Sequence, residues 1–249
     1  MKDYCPLDVS RSARPYECEG NESTTRYRMI DPDVRDRANE VIGRIFALDE
    51  AVSNANAFCA LLENLHARDL SSVKEPHVTA IRMVRAGILR SAIGTVMACL
   101  DPQDWRGNRA SAGQILDMLK DAEVVAALKM PATESSQDAA LHQARADDDN
   151  LRRGDLFERG RRLRNEAIAH LLMPDSPTPT VTYETIYSLR DGAEQLVANL
   201  YRASGRGDPQ FPAHKARLEE HARIFWDTYF RGMDCVEKSS EPESLELEP

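Results

Sequence analysis

Residues 31–62, DPDVRDRANEVIGRIFALDEAVSNANAFCALL, decide the fold. Asp31 is a good N-cap and Pro32 suits the first position of a helix. Apolar residues then recur at alternating steps of four and three, which places them along one face of a helix. They are Val34, Ala38, Val41, Ile45, Leu48, Val52, Ala55, Cys59 and Leu62. The stretch therefore predicts one long helix with one apolar seam.

The rest of the chain repeats this helical pattern between breaks made of Pro, Gly and polar residues. We expect further helices at about 75–101, 112–128, 135–172, 183–203 and 213–230. The fourth of these has two candidate breaks, at 147–150 and at Gly154. Almost no strand is expected. The fold class is thus predicted to be all-α, a bundle of about five to six helices with long antiparallel members.

The second predicted helix carries a stripe of small residues at heptad-compatible spacing. Small side chains let a neighbouring backbone approach closely, so tight packing inside the bundle is sufficient to explain the stripe. Its members are Ala80, Gly87, Ser91, Gly94 and Ala98.

Both terminal segments lack an apolar face. We expect 1–28 to be a flexible arm and 236–249 a disordered acidic tail, on either side of one helical domain at 29–235. No signal peptide and no uncharged apolar run of about 18 residues is evident, which predicts a cytoplasmic protein without membrane contact. The five cysteines are scattered and never form Cys-x-x-Cys, so neither disulfides nor a zinc site is expected.

The charge of the chain is unevenly distributed. A net charge of −9 argues against a protein that coats nucleic acid non-specifically, because such binding needs Lys and Arg to neutralise phosphates. Between 151 and 170, however, six arginines stand against three acids, a local balance of +3. A solvated helix face is one explanation for these arginines.

The most specific motif is Arg164-Asn165-Glu166-Ala167-Ile168-Ala169-His170, near the end of the predicted helix at 135–172. An arginine followed directly by Asn and six positions later by His, in an all-helical chain, resembles the signature of the HEPN superfamily. The order of elements and the segment 109–116, RASAGQIL, resemble more narrowly the AbiU-like HEPN proteins of bacterial abortive infection. The resemblance covers about residues 35–203.

This resemblance implies a helical homodimer that cleaves RNA without a metal or other cofactor, as a toxin or antiviral effector, with an antitoxin as a further partner. It implies catalytic roles for Arg164, Asn165 and His170. Its RNA-binding residues would be the remaining arginines of the local cluster. These are Arg152, Arg153, Arg159, Arg161 and Arg162.

The chemistry of the motif is coherent with that activity. A neutral imidazole can accept the proton of a ribose 2′-hydroxyl, and a guanidinium can stabilise charge on the phosphorane. Six helical residues set Arg164 and His170 about 120° apart around the axis and about 9 Å along it, so a second copy opposite the first would complete a shared site.

Other interpretations remain open at this stage. His170 extends an apolar stripe and is explained equally by a satisfied core histidine. Arg164 could pair with an acid across a helix interface, and Asn165 could contact backbone alone. The alternative function is a non-catalytic helical module for dimerisation and protein interaction.

Overall fold

The computed structural model describes residues 31–71, 73–75, 77–101, 110–130, 133–172 and 183–240, and for 166–172 and 234–240 it describes the backbone alone. The described residues form helices and no strand, so the all-α prediction is confirmed. The predicted number of five to six helices was too low, because eight are present in this part of the chain. They are α1 Pro32–His66, α2 His77–Leu100, α3 Ala112–Met118, α4 Ala122–Leu128, α5 Glu134–Arg153, α6 Asp155–Leu172, α7 Tyr183–Ala203 and α8 Phe211–Ser240.

Helix α1 forms the centre of the bundle. The side chain of Asp31 accepts a hydrogen bond of 2.9 Å from the backbone N–H of Asp33, which confirms the predicted N-cap. All nine residues of the predicted seam are buried. Helix α1 contacts α2, α7 and α8 as well as the two short helices α3 and α4. One continuous apolar face therefore organises most of the core.

The helix predicted at 112–128 is divided in two. Ser111 caps α3 as expected, since its hydroxyl accepts a hydrogen bond from the backbone N–H of Gln114. Asp121 then caps a new helix, α4, by accepting a 2.8 Å hydrogen bond from the backbone N–H of Glu123. Its carboxylate also forms an ion pair with Arg37 of α1. A second cap inside the apolar pattern is the physical reason for the break.

The helix predicted at 135–172 also consists of two helices. The break falls at Gly154, which ends α5 with extended backbone (ψ 150°), and the candidate break at 147–150 is helical. Helix α6 begins at the next residue and carries the motif. Of the two alternatives, the glycine break is therefore the one that forms.

Helix α8 is longer than the predicted 213–230. It ends at Ser240, so the first residues of the expected acidic tail, 236–240, are helical. The arm expected at 1–28 and the tail residues 241–249 lie outside the described residues. The structural unit that contains all eight helices begins at Asp31.

A buried glutamine joins three helices near the end of α7. The side chain of Gln137 is 3% exposed. Its amide oxygen accepts hydrogen bonds from the backbone N–H of Met130 (2.8 Å) and the hydroxyl of Thr133 (3.2 Å). Its amide nitrogen donates to the carbonyl oxygens of Leu128 (3.0 Å) and Ala203 (3.3 Å). One side chain thus satisfies backbone groups at the ends of both α4 and α7.

A second apolar cluster attaches α8 to α1. Trp226 is fully buried, and its indole N–H donates a 2.9 Å hydrogen bond to the carbonyl oxygen of Leu61. Beside it, Arg68 forms a 2.5 Å ion pair with Asp227, with side chains 24% and 30% exposed. The two side chains of this pair are exposed to nearly the same extent as those of Arg164 and Asp101, which form an ion pair between α6 and the end of α2.

Helices α1 and α2 are long and apolar enough, by length and composition, to cross a membrane. Each contains an 18-residue window with a mean hydropathy of 1.2 (α1) or 1.4 (α2). Helices in the core of globular proteins meet the same criterion, and 44% and 33% of the two windows are buried. The prediction of a cytoplasmic protein without membrane contact thus stays a prediction.

Candidate functional site

Helix α6, which carries the motif, packs against α2 and α7 at a glycine, Gly160. A Cβ atom on Gly160 would lie 2.4 Å from Cδ1 of Leu189 and 2.8 Å from Sδ of Met97. Both distances are well inside normal contact, and Leu189 and Met97 are themselves fully buried. Gly160 is therefore what allows α6 to approach the core this closely.

Arg164 lies one turn after Gly160 and forms an ion pair with Asp101. Its Nη1 donates a hydrogen bond to Oδ2 of Asp101. The Arg164 side chain is 25% exposed and that of Asp101 is 30% exposed, so solvent reaches the pair at the edge of the helix interface. Pairing with an acid across a helix interface was one of the alternatives that the sequence left open for Arg164.

Asp101 is held in place by the end of α2. Its backbone N–H donates a 2.7 Å hydrogen bond to the carbonyl oxygen of Met97. Met97 and Asp101 are four residues apart, as are Gly160 and Arg164. Helices α2 and α6 therefore make two successive contacts. The first is the close approach at Gly160, and the second is the Arg164–Asp101 ion pair one turn later.

The sequence predicted Asp101 only as the end of the second helix and missed it as a site residue. It stands 63 residues from Arg164. No periodicity or motif connects two positions so far apart. The pairing follows from how α2 and α6 pack.

Asn165 extends the site on the outer side of the arginine. Its amide oxygen lies 3.4 Å from Nε and 3.3 Å from Nη2 of Arg164. Both contacts are long for hydrogen bonds, which are commonly 2.7–3.2 Å for N–H···O. Asn165 is exposed, so its amide is a weak and displaceable neighbour of the guanidinium.

His170 belongs to the same helix as Arg164, because α6 continues to Leu172. Its side chain lies outside the described residues. The catalytic role and the core-histidine alternative for His170 therefore both remain predictions.

Four of the five arginines predicted to bind RNA form ion pairs with acids one turn earlier on the same helix. Arg152 pairs with Asp148 at 2.8 Å and Arg153 with Asp149 at 3.1 Å. In α6, Arg159 Nε lies 2.7 Å from Asp155, and Arg161 pairs with Glu158 at 2.9 Å. The fifth, Arg162, is exposed.

Because of these pairs, the excess of arginines between 151 and 170 does not give a positively charged helix surface. The sequence window of 151–170 begins just after three consecutive acids, 147–149, which lie one turn before the first two arginines. When the window begins at 147, six arginines stand against six acids and the net charge is zero. Because residues four apart share a helix face, the wider window is the correct one for judging the surface.

Arg152 is the most enclosed of the paired arginines. Besides Asp148, its guanidinium lies over the ring of Phe157 at 5.6 Å from the centroid. It also lies against Gly113 in α3, where an added Cβ would be 2.8 Å from Nη2. Arg152 therefore connects α5 to the segment RASAGQIL and is engaged within the chain.

A cleft of about 500 Å³ opens beside this contact, between α3 and α5. Its lining carries three basic and three acidic side chains, so it has no net charge to attract an anion. The lining residues are Gly113, Leu116, Asp117, Lys120, Arg145, Asp148, Asp149 and Arg152.

The small-residue stripe of α2 faces outward. A Cβ atom added at Gly87 or Gly94 would meet nothing within 4 Å, so no described backbone approaches it and the predicted tight packing is wrong for the described residues. Met83 and Val84, on the same side, are 72% and 38% exposed. We call this uncharged surface the α2 outer face. Its residues are Ala80, Met83, Val84, Gly87, Ser91, Gly94 and Ala98.

The described residues contain no group of three or more His, Cys, Asp or Glu side chains that could hold a metal ion. Cys59 and Cys99 are free and buried. Burial raises the pKa of both thiols to about 12. These two thiols are therefore protonated and unsuited to act as nucleophiles at neutral pH.

Comparisons of the chain with protein-family models, with curated proteins and with solved structures found no match. The class that the structure itself defines is an all-helical bundle. The HEPN and AbiU-like resemblance stays an expectation that rests on the motif.

Proposed function

We propose that the chain is a metal-independent endoribonuclease of HEPN type, acting as a homodimeric toxin or antiviral effector. In this proposal His170 accepts the proton of the ribose 2′-hydroxyl as its oxygen attacks the adjacent phosphorus. The bond from phosphorus to the 5′-oxygen breaks, and that oxygen takes up a proton. The product is a 2′,3′-cyclic phosphate, and Arg164 stabilises the charge on the phosphorane.

The observation that carries the proposal is the position of Arg164. Its guanidinium lies at the surface of the helix packing, 25% exposed, and among the described side chains only a long contact to Asn165 covers its Nε and Nη2 edge. An arginine in this state can receive a phosphate oxygen without any change in the core. Asn165 would then orient the phosphate beside it.

The paired arginines limit how RNA would bind. Exposed ion pairs contribute about 0–1 kcal/mol each, so a polyanion can replace the acids at modest cost. The net charge of zero along 147–170 nonetheless predicts weak, salt-sensitive association. Specificity would then come from the motif rather than from the arginine cluster.

The test is cleavage of total RNA by the wild-type chain beside His170→Ala, in the presence of excess chelator. We expect the wild type to cleave and leave 2′,3′-cyclic phosphate ends, and His170→Ala to lose activity. His142→Ala is the matched control, since His142 is an exposed histidine on α5 outside the motif. Cleavage that stops on chelation and returns with a divalent metal, or that persists in His170→Ala, would refute the proposal.

The second candidate function is a non-catalytic module for self-association, favoured by the α2 outer face. An isologous two-fold interface needs the same surface on both copies, and an uncharged face meets its own copy without repulsion. A stable pair is expected to dissociate on Gly94→Arg, where an added Cβ would meet no described residue within 4 Å, and to persist in Gly232→Arg, where the same holds. Sedimentation of both variants measures this, and an active wild-type nuclease would exclude the non-catalytic function.

A further inference from the structure

The guanidinium of Arg164 has two edges with different neighbours. The Nη1 end donates to Asp101, which is a charged and fixed partner at the end of α2. Among the side chains that the structure describes, this Nε and Nη2 edge faces only the amide oxygen of Asn165, at 3.4 and 3.3 Å. A phosphate binds arginine best along such an edge, through two parallel hydrogen bonds. The edge that a phosphate needs is therefore the weakly occupied one.

We propose that Asp101 is the positioning residue of the nuclease site, and that the amide oxygen of Asn165 occupies the place of a phosphate oxygen. This inference rests on the proposed function. Asp101 fixes the guanidinium at Nη1 and turns its Nε and Nη2 edge outward. The substrate phosphate then displaces the Asn165 amide and takes both hydrogen bonds.

The packing of α2 and α6 supports this role. Four single bonds rotate between the backbone of Arg164 and its guanidinium plane, so a lone exposed arginine samples many orientations. The contact of Gly160 with Met97 fixes the register of the two helices, and the Arg164–Asp101 pair follows one turn further on both of them. A phosphate arriving at the site therefore meets an arginine that is already oriented.

The negative charge of Asp101 allows a role in positioning Arg164 to be distinguished from a role in binding the substrate. Asp101 lies beside Arg164 and cancels its positive charge, so it weakens the attraction for a phosphate at long range. Its benefit appears only as orientation in the transition state. Removal of the carboxylate should accordingly lower kcat and leave KM unchanged or lower.

The experiment compares Asp101→Asn with Asp227→Asn. Asp227 pairs with Arg68 after the end of α1 at nearly the same exposure, and also with Arg223 in α8, so its variant reports the cost of losing charged contacts away from the site. We expect kcat to fall roughly 100-fold in Asp101→Asn, the cost of a misplaced group of about 1 Å. The Kd for a 2′-deoxy oligonucleotide, which cannot react, should not rise. Asp227→Asn should keep wild-type kcat, and both variants should keep the wild-type circular dichroism.

Three results would overturn the inference. An unchanged kcat means that Arg164 needs no anchor, and a raised kcat means that Asp101 blocks the arginine. A higher KM at wild-type kcat means that Asp101 acts in binding. If the wild type itself cleaves no RNA, the proposed function fails. The NMR resonance of the Arg164 Nε–H group then tests whether Asp101 positions the guanidinium. A resonance that shifts in Asp101→Asn and stays in place in Asp227→Asn supports a guanidinium anchored by Asp101. A resonance that does not shift in Asp101→Asn refutes this anchoring.

Discussion

Alanine at Gly160 should destabilise the protein, although alanine is the better helix former. In an open helix, Gly→Ala gains about 0.5–1 kcal/mol. At Gly160 the new methyl group would lie 2.4 Å from Leu189 Cδ1 and 2.8 Å from Met97 Sδ, both fully buried. Overpacking of a core costs about 1–3 kcal/mol. The net effect should be a loss of about 1–2 kcal/mol in the free energy of unfolding.

Gly87→Ala is the matched control for this prediction. It makes the same substitution inside a helix where a Cβ would meet no other described residue within 4 Å, so it should stabilise by about 0.5–1 kcal/mol. The two variants should differ by about 1.5–3 kcal/mol, or roughly 3–12 °C in Tm for a domain of this size. Urea unfolding with unchanged m-values measures the difference. Shifts of equal sign and size in both variants would show that α6 does not approach α2 and α7 as closely as described.

Two further predictions concern buried polar groups. Gln137→Leu should lower the free energy of unfolding by about 2–3 kcal/mol, because it leaves buried backbone groups without partners, while exposed Gln143→Leu on the same helix should change it by less than about 0.5 kcal/mol. Similar urea midpoints for the two would contradict this. Cys59 and Cys99, with thiol pKa values near 12, should not react with a thiol reagent at pH 8 until urea unfolds the chain. A variant that isolates them replaces Cys5, Cys18 and Cys235 with serine. Reaction of the folded variant would show that reagent reaches the core.

The sequence was sufficient for those elements in which one physical signal dominates. The seam of α1 is buried at every predicted position because its spacing and its cap at Asp31 indicate the same helix. Helix α7 has the predicted bounds, Tyr183–Ala203, between a Pro-rich segment and Gly205. Fold class follows from such elements.

Competing signals explain the wrong predictions. Asp121 caps α4 inside an apolar pattern that by itself indicates one helix. The stripe that contains Gly87 and Gly94 suits close packing and open surface equally. Other apolar residues of α2, such as Ile93 and Met97, form its buried side instead. Six clustered arginines indicated a positive surface until their neighbours on the helix were counted.

The site was predictable only along one helix. Arg164 and Asn165 are adjacent and lie where the motif indicates. Asp101 comes from a different helix, and only the packing of α2 on α6 brings it to Arg164. The spacing of apolar residues predicts which face of a helix is buried, but it does not record which residues of two different helices will meet.

The central position of α1 has a consequence for synthesis on the ribosome. Helix α1 ends at His66, while α8, which packs against it, begins only at Phe211. At about 5–20 residues per second, translation of the intervening chain takes roughly 7–30 s. During that interval α2 can shield the seam, but the surface destined for α7 and α8 stays open. The emerging chain thus exposes part of an apolar helix to solvent until the partners of that helix have been made.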